Sequence, residues 1–201
     1  TMECCSYRYN PYDKAKFEVN AHNWIDMSDE DYGVSLLNDC KYGHEVNEHK
    51  MILTLLKAPI KPDPKSDRGD HYFTYSLYPH AETWKKAKTL ERGLEINHPL
   101  VPVDIKSEGE MGADKSFITL TSDSMTLEAV KKCEEEDAYI IRMVEKKGRS
   151  VDASVKFFAP LTYAAECDLI ERNDVPVDFD GDTISFHATP FEIKNYKVKI
   201  K

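Results

Sequence analysis

The chain has 201 residues, long enough to bury a substantial core, and 41% hydrophobic against 31% charged residues is the balance of a soluble globular protein, not a disordered one. A formal net charge of −9 repels phosphate backbones and argues against nucleic acid as a partner. No apolar run approaches the roughly 18–20 residues of a membrane span, so no membrane role is expected.

In chain order, the first apolar run is Met51 to Leu56, apolar on nearly both faces as a central sandwich strand can be. A long loop follows from Lys57 to Asp70, with Pro59, Pro62, Pro64 and Gly69. Prolines fix φ and remove donors, so this stretch does not suit a strand. His71 to Tyr78 then alternates, with Phe73, Tyr75 and Leu77 on one face and Thr74 and Ser76 on the other. Residues 83–97 change period. Trp84, Ala87, Leu90 and Leu94 form one helical stripe, Thr83 is placed to cap its start, and Asn97-His98-Pro99 stops it. A second long loop, from Asn97 to Lys115, carries Pro99, Pro102, Gly109 and Gly112.

The second half is again strand-like. Tyr139, Ile141 and Met143 alternate with Ile140, Arg142 and Val144. Lys147-Gly148 reads as a hairpin turn into Val151 to Phe157, where Val151, Ala153, Val155 and Phe157 face inward. Asp180-Gly181-Asp182 is a turn ahead of a strand with Ile184 and Phe186. At the end, Phe191 and Ile193 differ in parity from Tyr196, Val198 and Ile200, which predicts a β-bulge or bend near Asn195. These spacings predict a mainly β protein: an antiparallel β-sandwich with one inserted helix near 83–97, forming a single domain over residues 1–201.

The residues supply no strong catalytic signature. With 36 acidic side chains a pair of carboxylates is always available, so carboxylates alone identify no glycosidase. The seven histidines are scattered, and His44 and His49 do not match HExxH. Asp178, Asp180 and Asp182 begin like a calcium loop, but Gly181 stands fourth where the sixth place needs glycine, and Thr189 replaces the closing Glu. There is no GxSxG elbow and no phosphate-binding glycine loop. The five cysteines, Cys4, Cys5, Cys40, Cys133 and Cys167, are odd in number and lack a CxxC pair. A structural zinc site is not expected from them, and free thiols suit the cytoplasm.

Four stretches taken together resemble the C-terminal region of bacterial and cytosolic α-mannosidases of glycoside hydrolase family 38. They are residues 17–24 (FEVNAHNW) followed by Asp26 and Ser28; residues 32–43 (YGVSLLNDCKYG); Asp63-Pro64 with residues 67–71 (DRGDH) and 73–80 (FTYSLYPH); and residues 190–194 (PFEIK). The resemblance implies that this is the β-sandwich part of a longer retaining enzyme. Thr1 ahead of Met2 is not a natural start, and residues 190–194 match the family's own ending, so truncation is expected at the N-terminus. The catalytic nucleophile and the zinc ligands would lie in an absent N-terminal catalytic domain, leaving no catalytic and no metal-binding residue in this chain. Its expected partners are that catalytic domain, a mannose-containing oligosaccharide and, through surface contacts, further copies of itself.

The resemblance further implies an arginine-bearing loop at the rim of the sugar pocket. Its match here is Asp67-Arg68-Gly69, and a guanidinium can fork onto neighbouring hydroxyls. Arg68, Asp67 and His71, with Asn38 and Asp39 of the second stretch, are the candidate substrate-binding residues. Two alternatives stay open: a stand-alone carbohydrate-binding module using exposed members of the 11 tyrosines, and a purely structural interaction domain. A docked accessory part would also leave an exposed apolar face.

Overall fold

A computed structural model describes residues 3–4, 6–104, 109 and 114–201. Cys5 and Gly112 lie outside the described residues. The chain divides into two compact units, one within Glu3–Ile105 and one within Lys106–Lys201.

The first unit contains a short helix α1 (Pro11–Ala15), strands β1 (Val19–Asn20), β2 (Trp24–Ser28), β3 (Tyr32–Asn38), β4 (Gly43–Asn47), β5 (Lys50–Leu53) and β6 (Tyr75–Ala81), and helix α2 (Thr89–Asn97). Two antiparallel three-stranded sheets result, in the orders β1-β4-β5 and β2-β3-β6. The run at Met51 to Leu56 was expected as a central strand. It is instead an edge strand ending at Leu53, with Ile52, Leu55 and Leu56 exposed.

Two further expectations are corrected here. The strand predicted from His71 starts at Tyr75 and runs through Pro79, which an edge strand tolerates because its outer N–H needs no partner. The alternation itself is present from Tyr75 onward. Tyr75 and Leu77 point to solvent, while Ser76, Tyr78 and His80 turn inward, where Tyr78 Oη donates to Ala87 O at 3.0 Å. The helix begins at Thr89 and not at Thr83. Thr83 opens a preceding turn in which its carbonyl accepts from Lys86 and Ala87, and Lys88 enters the left-handed region at φ 59°. That residue breaks the helical path, so the stripe of Trp84 and Leu90 is buried from two successive turns.

The second unit is the sandwich. Its strands are β7 (Ile118–Leu120), β8 (Met125–Lys132), β9 (Tyr139–Glu145), β10 (Val151–Phe157), β11 (Leu161–Glu166), β12 (Val175–Pro176), β13 (Thr183–Ala188) and β14 (Ile193–Ile200). They form antiparallel sheets in the orders β13-β10-β7 and β12-β11-β14-β9-β8. The alternation expected over Val151 to Phe157 is present: Ala153, Val155 and Phe157 are buried, and Asp152 and Lys156 are exposed. They share a core with Ile184 of β13 and, from the facing sheet, Ile141, Met143, Tyr196 and Val198.

Lys147-Gly148 is not a hairpin, because β9 and β10 lie in different sheets. It is a corner built on the buried Glu145, whose carboxylate accepts from the N–H groups of Lys147 at 2.9 Å, Gly148 at 2.8 Å and Phe191 at 2.9 Å. Burial alone would raise the Glu145 pKa, but these backbone donors outweigh it and hold the carboxyl below its ordinary value. Gly148 has φ 69°, and a Cβ there would meet the Phe191 ring at 2.8 Å, so the corner requires glycine.

Of the bulge or bend expected near Asn195, the bulge is absent, since β14 pairs with β9 in unbroken register from Ile193 to Val198. The irregularities fall at Leu127/Ala129 of β8 and Leu161/Tyr163 of β11. The parity change has another origin. Phe191 is a left-handed turn residue and Ile193 is on the outward face. The inward series starts at Tyr196, while Asn195 donates to Asp168 O at 2.7 Å on the other side.

Candidate functional site

The five candidate residues all lie in the first unit, on the β3–β4 turn and the long loop before β6. Asn38 ends β3 fully buried. Its amide nitrogen donates to His22 O at 2.8 Å and lies 3.5 Å from His44 Nε2, and its Oδ1 accepts from the Lys41 N–H at 2.9 Å. Asn97 of α2 donates to the Asn38 carbonyl at 3.0 Å. The Asn38 side chain is therefore occupied in making the turn, as Asn does where a strand must reverse. Burial pushes the pKa of the neighbouring His44 down, which favours a neutral ring beside the Asn38 amide.

Asp39 joins this turn to the loop. Its Oδ2 accepts from the Thr74 N–H at 2.9 Å, and its own N–H donates to Thr74 O at 3.2 Å. The Cys40 thiol and the Thr74 N–H hold its carboxyl below the ordinary value. Lys41 lies over the Phe73 ring at 5.1 Å, tying the same two segments together.

The loop braces itself. Asp67 sits in the left-handed region at φ 56°, its Oδ2 accepts from the Ala58 N–H at 2.9 Å, and its carbonyl accepts from His71 Nε2 at 2.9 Å. Asp67 and His71 thus close the loop across its mouth. Arg68 follows on the exposed side. Among the described residues its guanidinium has no hydrogen bond or ion pair with protein. Its backbone is fixed by donation to Lys65 O at 3.2 Å, and Gly69 at φ 121° makes the turn beyond it. The structure brings Asp67 and His71 together and couples Asp39 to Thr74. It records no contact between Arg68 and the Asn38–Asp39 turn.

A second polar group escaped the sequence. Asp26 of β2 accepts from Ser28 Oγ at 2.5 Å and Ser35 Oγ at 2.7 Å, and it pairs with His80 Nε2 at 2.7 Å. Ser35 continues to Thr89 of α2 at 2.8 Å. The Asp26 and His80 side chains are each only 3% exposed. The His80 ring lies over Gly33, where a Cβ would come within 2.4 Å of it. The network joins β2, β3, β6 and α2. Asp26, Ser28, Gly33 and His80 all fall inside the quoted stretches, but nothing in the spacing announces that they meet.

Among the described residues, no group of three or more His, Cys, Asp or Glu side chains is placed to hold a metal ion. No helix among the described residues is long and apolar enough to cross a membrane. Exposed large apolar side chains are numerous, including Tyr32, Tyr75 and Leu77 in one sheet of the first unit.

The family model described as the glycosyl hydrolases family 38 C-terminal domain matches residues 6–65, and the one described as the family 38 C-terminal beta sandwich domain matches residues 124–196. Alpha-mannosidase 2C1 of Homo sapiens is 37% identical over 166 residues, covering 81% of this chain and 16% of that protein. Alpha-mannosidase G of Dictyostelium discoideum is 32% identical over 195 residues, covering 92% of the chain and 18% of that protein. A crystal structure of a glycosyl hydrolase family 38 protein from Enterococcus faecalis matches with a TM-score of 0.70 at 16% identity, over 90% of this chain and 22% of that one, a likeness of fold. The chain thus spans less than a quarter of the length of each of these relatives. With both family models matched in order, and the sandwich found where the second one lies, the chain belongs to the C-terminal region of glycoside hydrolase family 38.

Proposed function

We propose that the chain is the accessory C-terminal part of an α-mannosidase, bracing a separate catalytic part and lending Arg68 to the rim of its sugar pocket. The observation that carries this reading is the match at 32–37% identity to proteins named alpha-mannosidases, of which the chain spans 16–18%. The retaining reaction works through two carboxylates about 5 Å apart, and in this reading both lie upstream with the zinc, whose ligands this chain does not supply. The free cysteines Cys4, Cys40, Cys133 and Cys167 accord with a cytoplasmic enzyme. Its substrate is an oligosaccharide ending in α-linked mannose.

Loop geometry supports the role of Arg68. Asp67 and His71 spend their polar groups on holding the loop, so an uncommitted guanidinium projects from a fixed backbone. Adjacent hydroxyls of a mannose ring match such a fork. Asp39 holds the Thr74 side of the loop, and Asn38 holds the turn that carries Asp39. Arg68→Ala in the longer enzyme should lower kcat/KM on an aryl α-mannoside by about 10- to 100-fold, the loss of a hydrogen bond to a charged donor. An unchanged kcat/KM would sink the assignment.

A further inference from the structure

The N-terminal segment of the first unit forms a cleft of about 360 Å³ against the β4–β5 hairpin, lined by Tyr7, Arg8, Tyr9, Lys14, Asn47 and Glu48. We propose that this cleft is a second, non-catalytic binding site for a neutral saccharide.

The cleft is built from both sides. Arg8 clamps the segment to β4, donating to Val46 O at 3.2 Å and Phe17 O at 3.4 Å, with Glu45 Oε1 at 3.6 Å. The hairpin turn is held in return by donation from the Glu48 N–H to Ser6 O at 3.1 Å. Asn10 caps α1 through the Asp13 N–H at 2.8 Å, and that helix carries Lys14. Tyr7 and Tyr9 lie with ring centres 6.0 Å apart and planes 29° from parallel, and His49 meets Tyr7 edge-on at 6.1 Å. Tyr9 is 76% exposed, an aromatic face held open to solvent beside polar groups.

Those polar groups are uncommitted. Among the described residues, the side-chain polar atoms of Lys14, Asn47 and Glu48 make no hydrogen bond or ion pair with protein. An ammonium, a carboxamide and a carboxylate therefore line the same cleft as the two tyrosines, supplying donors and acceptors together. A pyranose has the matching chemistry: an apolar C–H face to lie on an aromatic ring and hydroxyls that both donate and accept. Charge narrows the class. Arg8 and Lys14 are balanced by Glu45 and Glu48, so the cleft has no field that would select an anion. Its volume is at the lower end of small-ligand sites, suited to one or two sugar rings.

The experiment titrates the chain with α-mannobiose, following tyrosine fluorescence and calorimetric heat, and repeats the titration with inorganic phosphate. Saturable mannobiose binding in the millimolar range is expected, as few contacts at an open site give. Tyr9→Ala should weaken it at least about tenfold, the loss of one aromatic platform. Asn47→Ala provides the second, independent variant, and an unchanged urea midpoint shows that each variant is folded. The proposal is overturned by absent saturation with mannobiose, by binding indifferent to both Tyr9 and Asn47, or by preference for phosphate. Binding lost in Arg68→Ala and kept in Tyr9→Ala would move the sugar to the long loop. That outcome defeats this site while favouring the rim role of Arg68.

Discussion

Phe157→Ala should destabilise the sandwich unit by about 3–5 kcal/mol, the range for deleting a buried aromatic ring. Phe157 is 2% exposed and sits at the end of β10, facing the sheet that carries Ile141, Met143, Tyr196 and Val198. The cost has two parts. The lost ring no longer leaves water on folding, and the two sheets, pinned by their own hydrogen-bond ladders, cannot collapse fully onto the gap. Urea unfolding of the variant beside the parent measures it. A loss under about 1 kcal/mol would mean that the two sheets do not share this core.

Gly33→Ala should be the second large effect, in the other unit and for a different reason. A Cβ at this position would lie 2.4 Å from His80 Cε1, 2.4 Å from Ser28 Cβ and 2.8 Å from His80 Nε2. Neither neighbour can yield cheaply. His80 is fixed at one end by Asp26 at 2.7 Å and at the other by the Glu82 carbonyl at 3.1 Å, and Ser28 is in the adjacent strand, directly paired with Gly33. Overpacking alone costs about 1–3 kcal/mol, and driving one partner out of a buried pair costs about 3–5 kcal/mol. The loss should be at least about 3 kcal/mol. It should add poorly to the loss from His80→Ala, because both variants break the same pair. Full additivity in the double variant, or a cost near zero in Gly33→Ala, would show that the network does not hold the sheet.

The contrast between β10 and β6 shows what a sequence makes legible. In β10 the small and polar residues Asp152, Ser154 and Lys156 alternate with apolar ones. Both sheets bury apolar side chains there, so period and direction are read together. In β6 the period is equally clear, but it does not say which face is buried. Tyr78 and His80 turn inward because hydrogen bonds to Ala87, Asp26 and Glu82 satisfy them, while Tyr75 and Leu77 remain at the surface. Alternation fixes which residues share a face. The partners that pair buried polar groups decide which face is inside, and those partners are far away in sequence.

The corner at Lys147-Gly148 failed for a related reason. A Lys-Gly pair between two strands looks alike whether the chain turns back within one sheet or crosses to another. Glu145 decides it by gathering N–H groups from Lys147, Gly148 and the distant Phe191. In the candidate site, the proline loop was visible from residue types alone. The division of labour inside the loop was not, since Asp67 and Arg68 are adjacent in sequence and only geometry separates the residue that braces from the one left uncommitted.

The proposed accessory role puts the chemistry outside these residues, and hydrolysis of 4-nitrophenyl α-D-mannopyranoside tests that most directly. The chain of 201 residues, assayed alone and then as part of the longer protein, should release no nitrophenolate above the buffer rate in the first case and turn over in the second. Turnover by the chain alone, abolished by replacing one of its own carboxylates, would contradict the account.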